Sequence, residues 1–141
     1  MLENDLYYIE NKEIEEDSAI FYIALKANCE IFKGHFPGLP ITPGVCLVEM
    51  ASELFATVIG KNCEIIKCKN IKFLNVVSPV DHPNITYKIN WNALEDNIFN
   101  LKVNIFQGED TFSKMKKKKK KKKKMNKIFV KIYTYFNQHK W

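Results

Sequence analysis

The sequence contains no apolar run long enough to span a membrane, which takes about 20 residues. Residues Met1 to Asp17 are acidic and polar, so we expect no secretory signal. The four cysteines show no close metal-type pairs: four residues separate Cys63 from Cys68, and no histidine or further cysteine completes a zinc set. These absences favour a cytoplasmic protein with reduced thiols, no metal site and no cofactor.

The net charge of +6 depends on one segment, an unbroken run of nine lysines from Lys116 to Lys124. Removing those nine from the 22 basic residues leaves 13 against 16 acidic residues, so the rest of the chain carries a charge of −3. A lysine run is typical of a disordered tail that binds nucleic acid or anionic lipid. The rest of the chain shows no interleaving of basic and aromatic residues, so we expect no nucleic-acid partner.

The lysine run interrupts a predicted last strand that begins at Thr111. The residues after Met125 have a different composition, and we expect them to have no place in the fold. The rest of the chain is rich in Lys, Asn, Ile and Phe, which suggests an A/T-rich gene and, as a hypothesis, a frame slip in a poly-A tract. We therefore expect one domain over residues 1–116 and a frame-shifted or disordered tail over 117–141.

The centre of the chain predicts one long helix from Pro43 to Ile59. Thr42 is a good N-cap because its hydroxyl can accept from a first-turn amide, and Pro43 then lies at the first helical position. Apolar residues recur at helical spacing through the segment, and Gly60 ends it. Prolines and glycines before the helix predict a stiff, irregular loop.

Two residues that can exchange protons lie near the start of this helix, His35 in the loop and Glu49 in the helix. A neutral imidazole can accept a proton, and a carboxylic acid kept protonated by burial can donate one. Gly44 lies in the first turn, where its N–H can polarise a carbonyl oxygen. Taken alone, His35 is typical of a loop residue and Glu49 of a solvated helix residue, whereas the joint pattern is far more specific.

The stretch from Gly34 to Glu49, GHFPGLPITPGVCLVE, resembles the active-site segment of the 3-hydroxyacyl-[acyl-carrier-protein] dehydratases of the hot-dog fold. The His-Phe-Pro-Gly start, the Pro-Gly-Val turn and the spacing from His35 to Glu49 carry the resemblance. It implies an α+β fold in which one antiparallel sheet wraps around a long central helix. The order of the predicted strands agrees with this fold: Leu6–Ile9, Ile20–Ala27, Glu64–Phe73, Ile85–Asn92, Ile98–Phe106 and a strand from Thr111 onward.

The resemblance also implies an activity, the dehydration of 3-hydroxyacyl-[acyl-carrier-protein] thioesters to trans-2-enoyl thioesters in fatty-acid or related lipid biosynthesis. His35 would take the acidic proton beside the thioester carbonyl, and Glu49 would protonate the leaving 3-hydroxyl. The Gly44 N–H would hold the thioester oxygen, and the substrate would also contact Phe36, Pro43 and Val45. In this family the two side chains of one site come from different subunits. The implied partners are therefore an acyl carrier protein and further copies of the chain, in a homodimer or a higher oligomer of dimers.

The sequence departs from the family pattern at Glu53, where family members commonly carry Gln; we expect this side chain to point to solvent. Cys46 is expected to be a small buried residue and not a nucleophile, because no basic partner lies near it in the sequence. Two alternatives stay open. One is a hot-dog thioesterase acting on the same class of thioester, and the other is a non-catalytic acyl-chain binding module.

Overall fold

Apolar and polar residues alternate along several strands of the protein, and a continuous apolar stripe runs along its long helix. The computed structural model describes residues 2–32, 41–73, 77–81, 83–95, 97–107 and 127–136. The helix is α1 (Gly44–Ile59), and a short 3-10 helix covers Glu30–Phe32. The strands are β1 (Tyr7–Ile14), β2 (Ser18–Leu25), β3 (Cys63–Phe73), β4 (Asn84–Glu95), β5 (Ile98–Gln107) and β6 (Lys127–Phe136).

The six strands form one sheet in the order β1-β2-β4-β5-β6-β3, and every neighbouring pair is antiparallel. The helix α1 connects β2 to β3, which lies at the far edge of the sheet, and it contacts β3 and β4. The predicted α+β architecture, with one antiparallel sheet and one long helix, is therefore confirmed.

The first hairpin is longer than the sequence predicts. The pairing of β1 with β2 continues past a bulge between Ile9 and Asn11 and reaches Ile14 opposite Ala19. The predicted strand ends at Ile9, and most of the residues that follow it are polar. Those residues lie on the edge strand and are exposed, so backbone pairing rather than apolar alternation keeps them in the sheet.

The core lies between one face of α1 and the inward side chains of the sheet. Apolar and polar residues alternate along β4 and β5, and five inward residues are fully buried: Tyr87, Ile89, Leu101, Val103 and Ile105. They share a core cluster with Met50, Leu54 and Phe55 of the helix. Burial of each such side chain is worth about 1.5–3 kcal/mol, so this contact holds the helix on the sheet. The Phe55 ring also lies 5.3 Å from Trp91 and 5.4 Å from Phe99, centroid to centroid.

The helix begins one residue later than predicted. Pro43 is the N-cap, with an extended ψ of 144°, and no side chain caps the first turn. Thr42 is buried, and its hydroxyl has no hydrogen-bond partner in the part of the chain that the structure describes. At the other end Gly60 adopts a left-handed φ of 73° and its N–H bonds the Ala56 carbonyl at 2.8 Å, so the predicted stop is confirmed. No helix in the described ranges is long and apolar enough to cross a membrane.

The expectation that the chain after Met125 has no place in the fold is wrong for Lys127–Phe136. These residues form β6, which lies between β5 and β3 and pairs with both. A strand with partners on both sides satisfies its backbone N–H and C=O groups, whatever the residues before it. The lysine run and the start of the strand predicted from Thr111 onward lie outside the described residues.

Candidate functional site

The start of α1 is fixed by the segment that precedes β4. The Thr42 N–H donates to the Val77 carbonyl at 2.7 Å, and these two residues form an isolated antiparallel bridge. The next residue, Ser78, accepts through its hydroxyl oxygen from the amides of Val80 and Asp81 at 3.3 Å each, which closes a turn. The position of the helix start is thus set by backbone contacts that do not depend on a helix cap.

Gly44 is the first residue of α1, so the helix offers its N–H no carbonyl acceptor. The partial positive charge of the helix start lies at the same place. Pro43 precedes it as the N-cap, and the Val45 side chain beside it is 75% exposed. An oxygen that gains negative charge could therefore approach the Gly44 N–H, with an apolar side chain next to it.

Glu49 lies five residues beyond Gly44, roughly 7.5 Å along the helix axis at the standard rise per residue. Its side chain is exposed in the single chain, which differs from the burial expected from its apolar sequence neighbours. Its pKa is nevertheless raised, first by partial loss of hydration and then by the charge of Glu53. Both effects favour the protonated acid, which is the form that can donate a proton.

Glu53 is buried, and the expectation that it points to solvent is wrong. Its carboxylate accepts three hydrogen bonds, from the Leu2 N–H at 2.8 Å, the Glu3 N–H at 3.1 Å and the Tyr7 hydroxyl at 2.9 Å. The first segment of the chain therefore folds over the carboxylate and supplies the donors that a buried acid needs.

Two buried tyrosines that the sequence analysis did not single out hold α1 in place. Tyr7 of β1 donates to Glu53, and Tyr87 of β4 donates to the Leu47 carbonyl at 2.8 Å. The pKa of each is raised, chiefly by burial, so both remain phenols that donate. Alternation along a strand can predict that a tyrosine points into the core. It cannot predict which atom accepts the hydrogen bond from the hydroxyl.

Cys46 is buried, as expected, and its pKa is raised by burial and by the neighbouring Cys29 and Glu49. A raised pKa disfavours the thiolate, so the residue packs as a small apolar group. No cluster of histidine, cysteine, aspartate or glutamate in the described ranges has the arrangement of a metal site. His35 and Phe36, the other two predicted site residues, lie outside the described residues.

A model of the ApeI-like family, described as ApeI dehydratase, matches residues 10–123, which include Gly44, Glu49 and Glu53. The chain belongs to the ApeI-like dehydratase family. This membership confirms the resemblance drawn from the stretch Gly34 to Glu49.

The chain is also similar to curated dehydratases. It is 37% identical over 78 residues to the 3-hydroxyacyl-[acyl-carrier-protein] dehydratase FabZ of Clostridium acetobutylicum, covering 50% of this chain and 55% of that protein. It is 35% identical over 78 residues to the FabZ of Oenococcus oeni, with the same two coverages. The chain thus spans about half the length of the curated relatives it matches.

Solved structures agree on the fold. The dehydratase heterocomplex ApeI:P from Xenorhabdus doucetiae matches with a TM-score of 0.58 and 15% identity, over 92% of this chain and 96% of that chain. A hypothetical thioesterase with coenzyme A from Streptococcus pneumoniae matches with a TM-score of 0.56 and 13% identity, over 92% of this chain and 88% of that chain. At such identities the two matches show the hot-dog fold, which dehydratases and thioesterases share.

Proposed function

We propose that this ApeI-like family member dehydrates 3-hydroxyacyl-[acyl-carrier-protein] thioesters to trans-2-enoyl thioesters. The observation that carries the proposal is the arrangement on α1. The uncapped N–H of Gly44 and the carboxyl of Glu49, whose pKa is raised, lie on one helix of a dehydratase family member.

The reaction removes water from carbons 2 and 3 of the acyl chain. His35 takes the proton from carbon 2, and the electron pair shifts toward the thioester oxygen, where the Gly44 N–H stabilises the developing negative charge. The C3–O bond then breaks, and Glu49 gives its proton to the departing hydroxyl, which leaves as water. The proton returns from His35 to Glu49 before the next turnover. Phe36, Pro43 and Val45 would line the acyl chain beside these groups.

The acting unit in this proposal is a homodimer. The carboxyl of Glu49 and the side chain of Val45 are exposed in the single chain, although a dehydration site must exclude water. The edge strand β3 carries two exposed apolar side chains, Ile66 at 52% and Ile71 at 39%. A second copy that covers these surfaces would bring His35 of the partner subunit to Glu49. The four cysteines are free thiols, which agrees with a cytoplasmic, reducing location.

The alternative is an acyl thioesterase, which the likeness to the Streptococcus pneumoniae structure supports at the level of the fold. One experiment separates the two activities. The full chain is incubated with 3-hydroxyacyl thioesters of several chain lengths, the conjugated enoyl product is followed by its absorbance, and free thiol is measured in parallel. Enoyl product without thiol release supports the dehydratase, whereas thiol release without enoyl product supports the thioesterase. The chain length with the highest kcat/KM then defines the substrate range.

A further inference from the structure

Glu53 is a buried carboxylate that the proposed mechanism does not use. It is only 7% exposed, yet its three hydrogen-bond partners in the described part of the chain are two backbone amides and a phenol, all of them neutral donors. Hydrogen bonds to neutral donors stabilise a carboxylate without cancelling its charge. These contacts therefore fix the acid at one defined place beneath the surface of α1.

That place lies one helical turn from Glu49. Residues four apart on a helix are neighbours, with about 5–6 Å between their Cβ atoms. A charge held inside the protein acts on such a neighbour more strongly than a solvated charge, because less water screens it. The surroundings of Glu49 agree with this, since its pKa is raised first by loss of hydration and then by the charge of Glu53.

We propose that Glu53 is a positioning residue of the dehydration site, whose fixed carboxylate keeps the neighbouring Glu49 in its proton-donating form. The proposal rests on the role of Glu49 as general acid in the proposed function. It gives a reason for the acid at this position, where the resembling dehydratases commonly carry Gln. It also links the amino-terminal segment to the site, because Leu2, Glu3 and Tyr7 hold the carboxylate in place.

The charged and titratable groups around the two acids agree with this role. Around Glu53, the amino-terminal segment and β1 contribute Glu3 and Tyr7, and β4 contributes Tyr87, which also senses the Glu53 charge. On α1 itself, Cys46 lies close enough to sense Glu49. The positive charge of the chain's amino terminus opposes the effect of Glu53 on the pKa of Glu49 but does not reverse it.

The test replaces Glu53 by Gln, which removes the charge and keeps the size of the side chain. Glu49 must be protonated to donate, so the rate falls as the pH rises through its pKa. Without the negative charge nearby, the pKa of Glu49 drops, and this alkaline fall in kcat moves to lower pH. At acidic pH, where Glu49 is protonated in both proteins, the E53Q rate stays near that of the wild type. A purely structural role would lower the rate equally at every pH.

A second readout does not depend on activity. Carbon-13 NMR of labelled carboxyl groups follows the titration of Glu49, with Glu49→Gln used to assign its signal. The Glu49 midpoint in E53Q should lie below that of the wild type. Tyr7→Phe is the matched control, since it removes one hydrogen bond to Glu53 but leaves the charge, so it should not lower the midpoint. Glu53→Met provides a second neutral side chain of similar length, should E53Q not fold.

The outcomes separate this inference from the proposed function. If Glu49→Gln abolishes dehydration but neutral side chains at position 53 leave the Glu49 midpoint and the alkaline fall unchanged, the role of Glu53 is overturned alone. If Glu49→Gln retains full dehydration, the proposed function fails, whatever the midpoint does. If E53Q lowers the Glu49 midpoint and moves the alkaline fall in kcat to lower pH, the result supports both the role of Glu53 and the proposed function.

Discussion

Glu49 and Glu53 occupy successive turns of one helix but meet different surroundings. Glu49 has its carboxyl at the surface of the single chain, whereas Glu53 lies under the amino-terminal segment. The two carboxylates therefore suit different tasks. The exposed one can reach a substrate, and the buried one can only act through its field and its hydrogen bonds.

Replacement of Glu49 by Gln should cut the turnover of 3-hydroxyacyl thioesters by roughly 10²-fold or more, the usual scale for losing a general acid. Gln is nearly isosteric and the side chain is exposed, so the thermal midpoint should stay within error of the wild type. Steady-state kinetics and a thermal melt on the same preparation check both statements. Near-normal dehydration in this variant would return Glu49 to the status of an ordinary helix residue.

Replacement of Tyr7 by Phe should destabilise the protein by about 1–3 kcal/mol, because Glu53 loses one of the three donors that its buried carboxylate needs. Tyr22→Phe is the matched control, since the Tyr22 hydroxyl donates an exposed 3.3 Å hydrogen bond to Glu13. Urea unfolding should show a clear loss of free energy for the first variant and almost none for the second. Equal losses would contradict the importance of the Tyr7–Glu53 contact.

The long helix shows at the scale of elements what the sequence could predict. Its apolar period and the stop at Gly60 are local signals, so its extent was predicted to within one residue. The N-cap residue was not predicted correctly. Pro43 takes that place with an extended backbone, while the Thr42 N–H donates to the Val77 carbonyl. The burial of Glu53 was missed because its donors lie 46 to 51 residues away in the chain.

The last strand was missed although its residues are rich in β-branched and aromatic side chains, because the lysine run before it predicts the end of the fold. β6 pairs with β5 from Ile98 opposite Tyr135 to Phe106 opposite Lys127, and on its other side with β3. The hypothesis of a frame slip in a poly-A tract stays a prediction, which sequencing of the tract tests. The sheet shows only that these residues can complete the fold.

Two deletions separate the strand from the lysine run. Deletion of residues 117–141 removes β6, which leaves β3 without a neighbouring strand and β5 with one on a single side, so cooperative unfolding should be lost or shifted far to lower denaturant. Deletion of the nine lysines 116–124 shortens the connection 108–126 from 19 residues to 10 and keeps β6, so stability should change little. Full stability after the first deletion would support a dispensable tail and contradict the role of β6.

At the scale of the whole molecule, the proposed site needs two copies of the chain, and mixing of inactive variants tests this directly. His35→Ala and Glu49→Gln should each be almost inactive alone. If each site takes His35 from one subunit and Glu49 from the other, a mixed dimer contains one intact site. Random mixing of equal amounts makes half of the dimers mixed, so about a quarter of the wild-type sites should be restored.

Sedimentation should show a dimer at micromolar concentration for each variant. Dimers that exchange subunits but recover no activity would show that both groups come from one chain, and a fully active monomer would remove the need for a partner.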